Sequence, residues 1–327
     1  MIIDWEHHYL PEELMLKKGG KKGEQTIVYE HGRPRGNLRP ELADVDEHLR
    51  VMDAVGIDVA VFSIAVSSDD TQVALEECRV WNDCAAEVVR RYPKRFVGLA
   101  PIPPLGGEKA FDELKRAIET LGLKGVVIRS QAGGLSMDNR DLYPFYERVS
   151  ALNVPIFIHP SGVQQGMNIL DAPYDLGRSI GREMDLIVAT TRLILSGVLD
   201  DFSDLQFVIS HKGGGIAAVK ERIEYQFGST GSPGTRPGGS RNRVPFDQCF
   251  NKLYFNLAGS HGGMGSVRCA LTAIGPQRLI FGTDYPQEFS GDPENIKVYI
   301  ENIRKLEIDE QSKAAMLGGN ARELLGL

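Results

Sequence analysis

Cysteine and long apolar runs are both scarce in this sequence. Only four of its 327 residues are cysteine, and no two form a CxxC pair, which argues against a structural zinc finger and a disulfide framework. No apolar run approaches the roughly 20 residues that a membrane-spanning helix needs. The chain opens on acidic and polar residues without the basic-then-apolar pattern of a signal peptide. We therefore expect a reduced, cytoplasmic protein with no membrane partner.

An excess of positive charge is missing as well. Lysine and arginine number 37 against 44 aspartate and glutamate residues, so the net charge is −7 at pH 7. A mildly acidic surface disfavours nucleic acid and anionic membranes as partners. The 42% apolar and 25% charged residues are ordinary for a globular protein. The length suits two medium domains or one large one, and α/β barrels are often this long as a single domain.

What the sequence does contain is a recurring strand pattern. Eight short runs rich in Val, Ile, Leu and Phe alternate with longer amphipathic stretches. Most of these runs are continuously apolar, which is typical of parallel strands covered on both faces. The predicted strands are Ile2–Glu6, Val59–Ile64, Phe96–Pro101, Gly125–Arg129, Pro155–His159, Gln206–His211, Lys252–Leu257 and Leu279–Asp284.

The stretches between the strands predict helices. Apolar residues recur there at helical spacing, and Gly56, Gly122 and Gly197 stand where C-terminal caps are expected. Repeated strand–helix alternation predicts an α/β fold, a (β/α)8 TIM barrel spanning residues 1–327 as one domain. A doubly wound open sheet is the alternative, although the first crossover lacks the GxGxxG motif of dinucleotide-binding folds. The clearest predicted helices are Ala43–Ala54, Leu75–Tyr92, Ala110–Leu121, Leu142–Leu152 and Ile187–Gly197.

Two segments interrupt this alternation. Lys17–Arg39 is rich in Gly, Lys and Arg, and Gly228–Arg243 is rich in Gly, Pro and Ser. Both are interpreted first as flexible surface loops. Because long loops in compact domains are often functional, the alternative is a lid or a subunit-contact loop over the C-terminal face of the barrel.

Several chemically active side chains follow the predicted strands directly. In a barrel the C-terminal strand ends form one face, so these side chains are expected to converge there. Singly, each has an ordinary interpretation, such as a surface cluster, a core histidine or a turn aspartate. Together they favour a site for one divalent metal ion, with imidazoles suiting zinc, iron or manganese and carboxylates shifting the preference toward manganese. The residues are Glu6 and His8, which share a strand face, with His159, His211 and Asp284.

Four motifs resemble the amidohydrolase superfamily. They are Ile3–His8, Ile158–Pro160, Ser210–Gly214 and Gly282–Pro286. The similarity is strongest to its branch of metal-dependent, non-oxidative decarboxylases, which includes aminocarboxymuconate semialdehyde decarboxylase and the resorcylate and carboxyvanillate decarboxylases. The resemblance implies one Zn²⁺ or Mn²⁺ ion and gives His211 the role of catalytic acid/base. The metal ligands that it implies are Glu6, His8, His159 and Asp284.

The resemblance also suggests substrate-binding residues. Arg222 matches an arginine that binds the substrate carboxylate in relatives, in some cases from a neighbouring subunit, so a homodimer or higher oligomer is expected. Several relatives carry a second arginine early in the first helix, at about the position of His48 in this chain, whereas the nearby arginine here is Arg50. His48 and Arg50 are therefore further candidates for substrate binding. Trp5, Tyr285 and Phe289 are candidates for the pocket wall, although lone aromatic residues are more often core.

Two enzymatic hypotheses remain open, and a third treats the barrel as a non-catalytic binding or structural protein. The first is removal of CO2 from an aromatic or muconate-like carboxylic acid, with Asp284 or His211 delivering a proton to the carbon that bears the carboxylate. The second is hydrolysis or hydration of a lactone, amide or enol diacid, in which the ion lowers the pKa of its bound water. Either reaction takes a small-molecule substrate, and a carboxylate is favoured if Arg222 faces the cavity.

Overall fold

Eight parallel strands form the centre of the molecule. The computed structural model describes residues 1–30, 33–66, 68, 70–161, 170, 174, 176–227 and 240–327. Each predicted strand is present, most of them shorter than expected. The strands are β1 (Ile3–His8), β2 (Val59–Ser63), β3 (Phe96–Gly98, continuing as Ala100–Pro101), β4 (Val126–Arg129), β5 (Ile156–His159), β6 (Phe207–Ile209), β7 (Tyr254–Asn256) and β8 (Leu279–Ile280).

The strands lie side by side in the order of the chain. The first half of β3 pairs with β2, and its second half pairs with β4, so that β3 connects a run of three strands to a run of six. Residues after β8 then bond to β1, through Trp5 N to Phe281 O at 3.0 Å and His8 N to Tyr285 O at 2.7 Å. The two edge strands therefore meet, which confirms the TIM barrel and excludes the open sheet.

The helices connect the strands and cover the barrel. The Asp44 side chain accepts a hydrogen bond from Glu47 N and caps the first crossover helix, which ends at Gly56 in the left-handed conformation. All five predicted helices are present with shifted ends. The helices are Glu12–Lys17, Val45–Val55, Thr71–Arg91, Gly107–Lys115, Tyr143–Leu152, Arg182–Leu195, Val198–Asp201, Lys220–Phe227, Phe246–Phe250, Met264–Ala273, Glu294–Arg304, Glu310–Ala314 and Asn320–Leu325.

Alternate residues of the strands belong to two different hydrophobic cores. Trp5, Val127 and Phe157 point into the barrel, where they form one apolar cluster. Their neighbours Val126 and Ile128 belong instead to the larger cluster between the barrel and the helices. Since both faces are buried, the strands need the continuous apolar runs that were visible in the sequence. Over the described ranges, no helix is long and apolar enough to cross a membrane.

The segment Lys17–Arg39 is more ordered than its composition predicts. It contains an antiparallel hairpin, Thr26–Glu30 paired with Arg33–Leu38. Its base is fixed to the loop after β8, because Gln287 Nε2 donates to the carbonyl oxygen of Asn37 at 3.1 Å. The sequence did not predict this hairpin, which contacts the loop that follows Asp284. Most of the second predicted loop, residues 228–239 of Gly228–Arg243, lies outside the described residues.

Candidate active site

A β-bulge in β1 directs Glu6 toward the barrel axis. Asp4 pairs with Ala60 and His7 with Phe62, so two residues of β1 face the single Val61. The bulge lets both Trp5 and Glu6 point inward, whereas strict alternation would send one of them outward. His7 points the other way, and its imidazole contacts Asp4 at 2.8 Å. The prediction that Glu6 and His8 share a face is confirmed, but the bulge that also brings Trp5 inward was not predicted.

Five side chains meet at the C-terminal end of the barrel. The carboxylate oxygen Oε1 of Glu6 lies 3.9 Å from Nε2 of His8, 3.7 Å from Nε2 of His159 and 3.8 Å from Nε2 of His211. Oδ1 of Asp284 lies 2.7 Å from Nε2 of His8, and its Oδ2 lies 3.8 Å from Nε2 of His211. We call Glu6, His8, His159, His211 and Asp284 the mouth cluster.

Neighbouring groups hold the mouth cluster in this orientation. Ser210 Oγ donates to both carboxylate oxygens of Glu6, and Asn256 Nδ2 donates to Oε2 at 2.5 Å. The carbonyl of Ser63 accepts from Nδ1 of His8 at 3.0 Å, so Nε2 faces the cluster. Such contacts fix the tautomer and direction of a ligating side chain. Ser210 and Asn256 were missed from the sequence, although both stand at strand ends.

His211 begins a short left-handed turn. Its φ is +49°, and Lys212, Gly213, Gly214 and Gly215 all have positive φ. A run of left-handed residues is costly for chiral residues, so three consecutive glycines are required here. The turn aims Nε2 of His211 at the mouth cluster. Nδ1 of the same ring bonds to Oε1 of Glu183 at 2.9 Å, a partner contributed by the helix Arg182–Leu195.

Gly259 presses against the ring of His211. A Cβ at this position would lie 2.6 Å from Nδ1 of His211, and φ is +79°. We predict that Gly259→Ala lowers the free energy of unfolding by about 2 to 4 kcal/mol through strain and overpacking. The matched control is Gly56→Ala, at a helix C-cap with a similar φ of +81° in the left-handed region and no atom within 4 Å, and it should cost only about 1 kcal/mol. Urea unfolding compares the two, and equal losses would contradict the contact with His211.

Burial and mutual charge shift the pKa values in the mouth cluster. Burial raises the pKa of Glu6 and lowers that of His159 far below its usual value. For Asp284 burial acts upward, but His211 and His8 outweigh it and hold the pKa well below its usual range. Burial is likewise outweighed by carboxylates at His8 and His211, whose pKa values rise to about 9 and about 10. An anionic Asp284 and a neutral His159 are the states that bind a cation.

The mouth cluster fits the chemistry of a divalent cation. One ligand atom from each of Glu6, His8 and His159 lies within 4.8 Å of the others. Asp284 adds a second carboxylate through its contact with His8, and two carboxylates balance a 2+ charge. Nε2 of His211 is buried and has no hydrogen-bond partner among the described residues. The predicted ligand set therefore meets at one place.

The three other polar candidates lie away from the mouth cluster. His48 is fully buried behind β1, where its Nδ1 contacts Nε2 of His7 at 2.9 Å. Arg50 is exposed and pairs with Glu47 on its own helix. Arg222 lies exposed on the helix Lys220–Phe227. The structure of one subunit thus brings none of them to the cluster.

The aromatic candidates are core residues. Trp5 packs edge-on against Phe157 inside the barrel, with ring centroids 6.3 Å apart. The ring of Tyr285 lies 5.1 Å from that of His7, on the outer side of β1. Phe289 is buried against Tyr299. Lys212, which follows His211, is buried and donates to the carbonyl of Ala258 at 2.5 Å.

Comparison with known proteins agrees with this geometry. One curated relative is the gamma-resorcylate decarboxylase of a Polaromonas species, which is 29% identical over 99% of this chain and 98% of the relative. Another is the 2-keto-4-carboxy-3-hexenedioate hydratase of a Sphingobium species, which is 25% identical over 99% of this chain and 96% of the relative. A similar solved structure is dihydroxybenzoic acid decarboxylase from Polaromonas sp. JS666 with bound manganese and the inhibitor 2-nitroresorcinol. It is 26% identical, has a TM-score of 0.82 and covers 100% of this chain and 97% of its own. Residues 3–327 match the amidohydrolase family, and the chain belongs to that family.

Proposed function

We propose that this protein is a metal-dependent, non-oxidative decarboxylase of a hydroxylated aromatic carboxylic acid. The observation that carries the proposal is the mouth cluster, in which Nε2 of His211 lies 3.8 Å from both Glu6 and Asp284. A buried acid/base thus stands beside a set of cation ligands. The full-length similarity to gamma-resorcylate decarboxylase supports this reaction.

The metal ligands in this proposal are Glu6, His8, His159 and Asp284. Two carboxylates among four ligands favour a harder ion, so we propose manganese rather than zinc. The manganese in the similar dihydroxybenzoic acid decarboxylase structure supports this choice. When bound, the ion supplies positive charge for the carboxylate and hydroxyl oxygens of the substrate. Ser210 and Asn256 keep Glu6 directed at that position.

His211 supplies the proton in the proposed reaction. Nε2 transfers its proton to the ring carbon that bears the carboxylate, and that carbon becomes sp3. The bond between the ring and the carboxylate then breaks, its electron pair returns to the ring, and CO2 leaves. Glu183 holds Nδ1 at 2.9 Å and stabilises the protonated imidazole before the transfer. Asp284 serves as a ligand and as a charge partner of His8.

The reaction can be tested directly with manganese-loaded protein. We expect CO2 release from 2,6-dihydroxybenzoate or another hydroxybenzoate. In D2O the product should carry one deuterium at the carbon that lost the carboxylate, as seen by proton NMR. Metal-free protein is the control and should release no CO2. Failure to release CO2 from any hydroxylated aromatic acid would refute the proposed reaction.

Hydration is the second candidate, because one full-length relative is a hydratase. In that reaction the same cluster would act on an enol diacid, and His211 would move a proton to or from water. Water addition to an unsaturated diacid, or opening of a lactone, without CO2 release from aromatic acids would favour this candidate.

Assembly and location are also proposals. We propose a homodimer or higher oligomer in which Arg222, exposed in one subunit, approaches the substrate carboxylate of a neighbouring subunit. Light scattering on the purified protein measures the oligomeric state. A cytoplasmic location and a single domain over residues 1–327 stay predictions.

A further inference from the structure

Arg129 is the last residue of β4 and stands beside the mouth cluster. Its Cα is the register partner of His159 in the parallel pair of β4 and β5. Two residues earlier, Val127 and its partner Phe157 both point into the barrel. Because strand residues two apart share a face, the side chains of Arg129 and His159 leave the sheet toward the same barrel mouth.

The position of Arg129 is defined by fixed neighbours. Its side chain is half-buried, and one guanidinium nitrogen donates to the carbonyl of Ser161 at 3.2 Å. The amide of Ser161 in turn donates to Oγ of Ser130 at 2.8 Å and to the buried Asp185 at 2.9 Å. A guanidinium carries five N–H donors in a rigid plane, so a fixed arginine can orient a planar anion.

Charge is unevenly distributed around the mouth cluster. Glu183 lies on the His211 side. His159 lies on β5, and Arg129 is its register partner on the neighbouring strand β4. The guanidinium of Arg129 is always charged. An anionic substrate group next to His159 would therefore lie near a permanent cation.

The substrate itself requires such a cation. Glu6 and Asp284 balance a divalent ion, so a substrate carboxylate brings one further negative charge into a buried site. Burying that charge without a partner is costly, and an arginine fork compensates it well.

We propose that Arg129 is a specificity-determining residue that binds an anionic oxygen of the substrate and selects aromatic carboxylates over neutral phenols. This inference rests on the proposed function, since it names the substrate group that the same site recognises. It assigns Arg129 to substrate binding and leaves proton transfer to His211.

Calorimetric titration tests this assignment apart from turnover. Manganese-loaded His211→Asn protein, which should bind without turning over, is titrated with 2,6-dihydroxybenzoate and with neutral resorcinol. Adding Arg129→Gln should lower the affinity for the acid by about 10- to 100-fold, which corresponds to the loss of a charge-assisted hydrogen bond. The affinity for resorcinol should fall by less than about threefold. Arg129→Lys should recover part of the loss because it keeps the charge. In the otherwise wild-type enzyme, Arg129→Gln should raise KM far more than it lowers kcat.

The matched control is Arg192→Gln, which removes an exposed partner of Asp138 and should leave both affinities unchanged. Equal affinity for the acid in His211→Asn protein with and without Arg129→Gln overturns the inference, as does an equal loss of affinity for acid and resorcinol. If wild-type protein binds the acid through Arg129 but releases no CO2, the inference stands and the decarboxylase proposal fails. If no hydroxybenzoate binds at all, both fail.

Discussion

His211→Asn is expected to lower kcat by about 100- to 10,000-fold, the usual contribution of a positioned acid/base. The reason is that Nε2 of His211 is the buried nitrogen that faces the proposed cation ligands, while Glu183 holds the opposite nitrogen. Asparagine keeps a polar side chain of similar reach but has no transferable proton. Single-turnover CO2 release under saturating substrate measures the effect on the chemical step.

Two comparisons make this result specific. His261→Asn changes an exposed histidine, so it should leave kcat unchanged. Manganese content should equal that of wild type, since His211 is not a proposed ligand. If His211→Asn keeps kcat within about tenfold and metal-loaded Asp284→Asn does not turn over, then Asp284 is the proton donor and our assignment is wrong.

Glu6→Gln is expected to abolish metal binding without destabilising the metal-free protein. Burial raises the pKa of Glu6 even though His211, His8 and Asn256 act in the opposite direction, so the ionised carboxylate is the less favoured form in the metal-free protein. A neutral amide removes that cost and still accepts hydrogen bonds from Ser210 and Asn256. The melting temperature of the metal-free variant should therefore equal or exceed that of metal-free wild type.

Manganese provides the readout for this variant. Near 100 times the dissociation constant, wild type should gain about 2.7 kcal/mol, or about 4 °C in Tm for a chain of this length, whereas Glu6→Gln should gain almost nothing. Glu113→Gln is the control, because Glu113 is equally buried but pairs with Arg116. It should melt lower than wild type and keep the full manganese shift. An unchanged manganese shift in Glu6→Gln would remove Glu6 from the ligand set.

The sequence predicted those features that depend on the local pattern of a single strand. Continuous apolar runs predicted all eight strands, and residues at strand ends predicted which side chains form the mouth cluster. The same rule applied more widely would have found Asn256 at the end of β7 and Arg129 at the end of β4. Neither residue is a histidine or a carboxylate, the two kinds of side chain from which the metal site was predicted.

Other features depend on contacts that no local pattern records. Glu183 reaches His211 from a helix 28 residues earlier in the chain, and its position follows from how that helix packs on the turn. The bulge in β1 depends on pairing with β2 rather than on the composition of either strand. His48 lies where relatives were expected to carry an arginine. Its side chain instead contacts the imidazole of His7 on the outer side of β1, and this contact depends on how the helix packs against the strand.

The left-handed turn after β6 also constrains how this enzyme can be recombined with its relatives. At Gly214 a methyl group would lie 2.8 Å from the main-chain carbonyl carbon of Glu183, and at Gly213 it would meet Phe255 at 2.9 Å. The same Glu183 carries the carboxylate that holds His211. The turn and the helix Arg182–Leu195 should therefore be exchanged together in any chimera. A crossover between them would combine a turn and a helix from different proteins at this close contact.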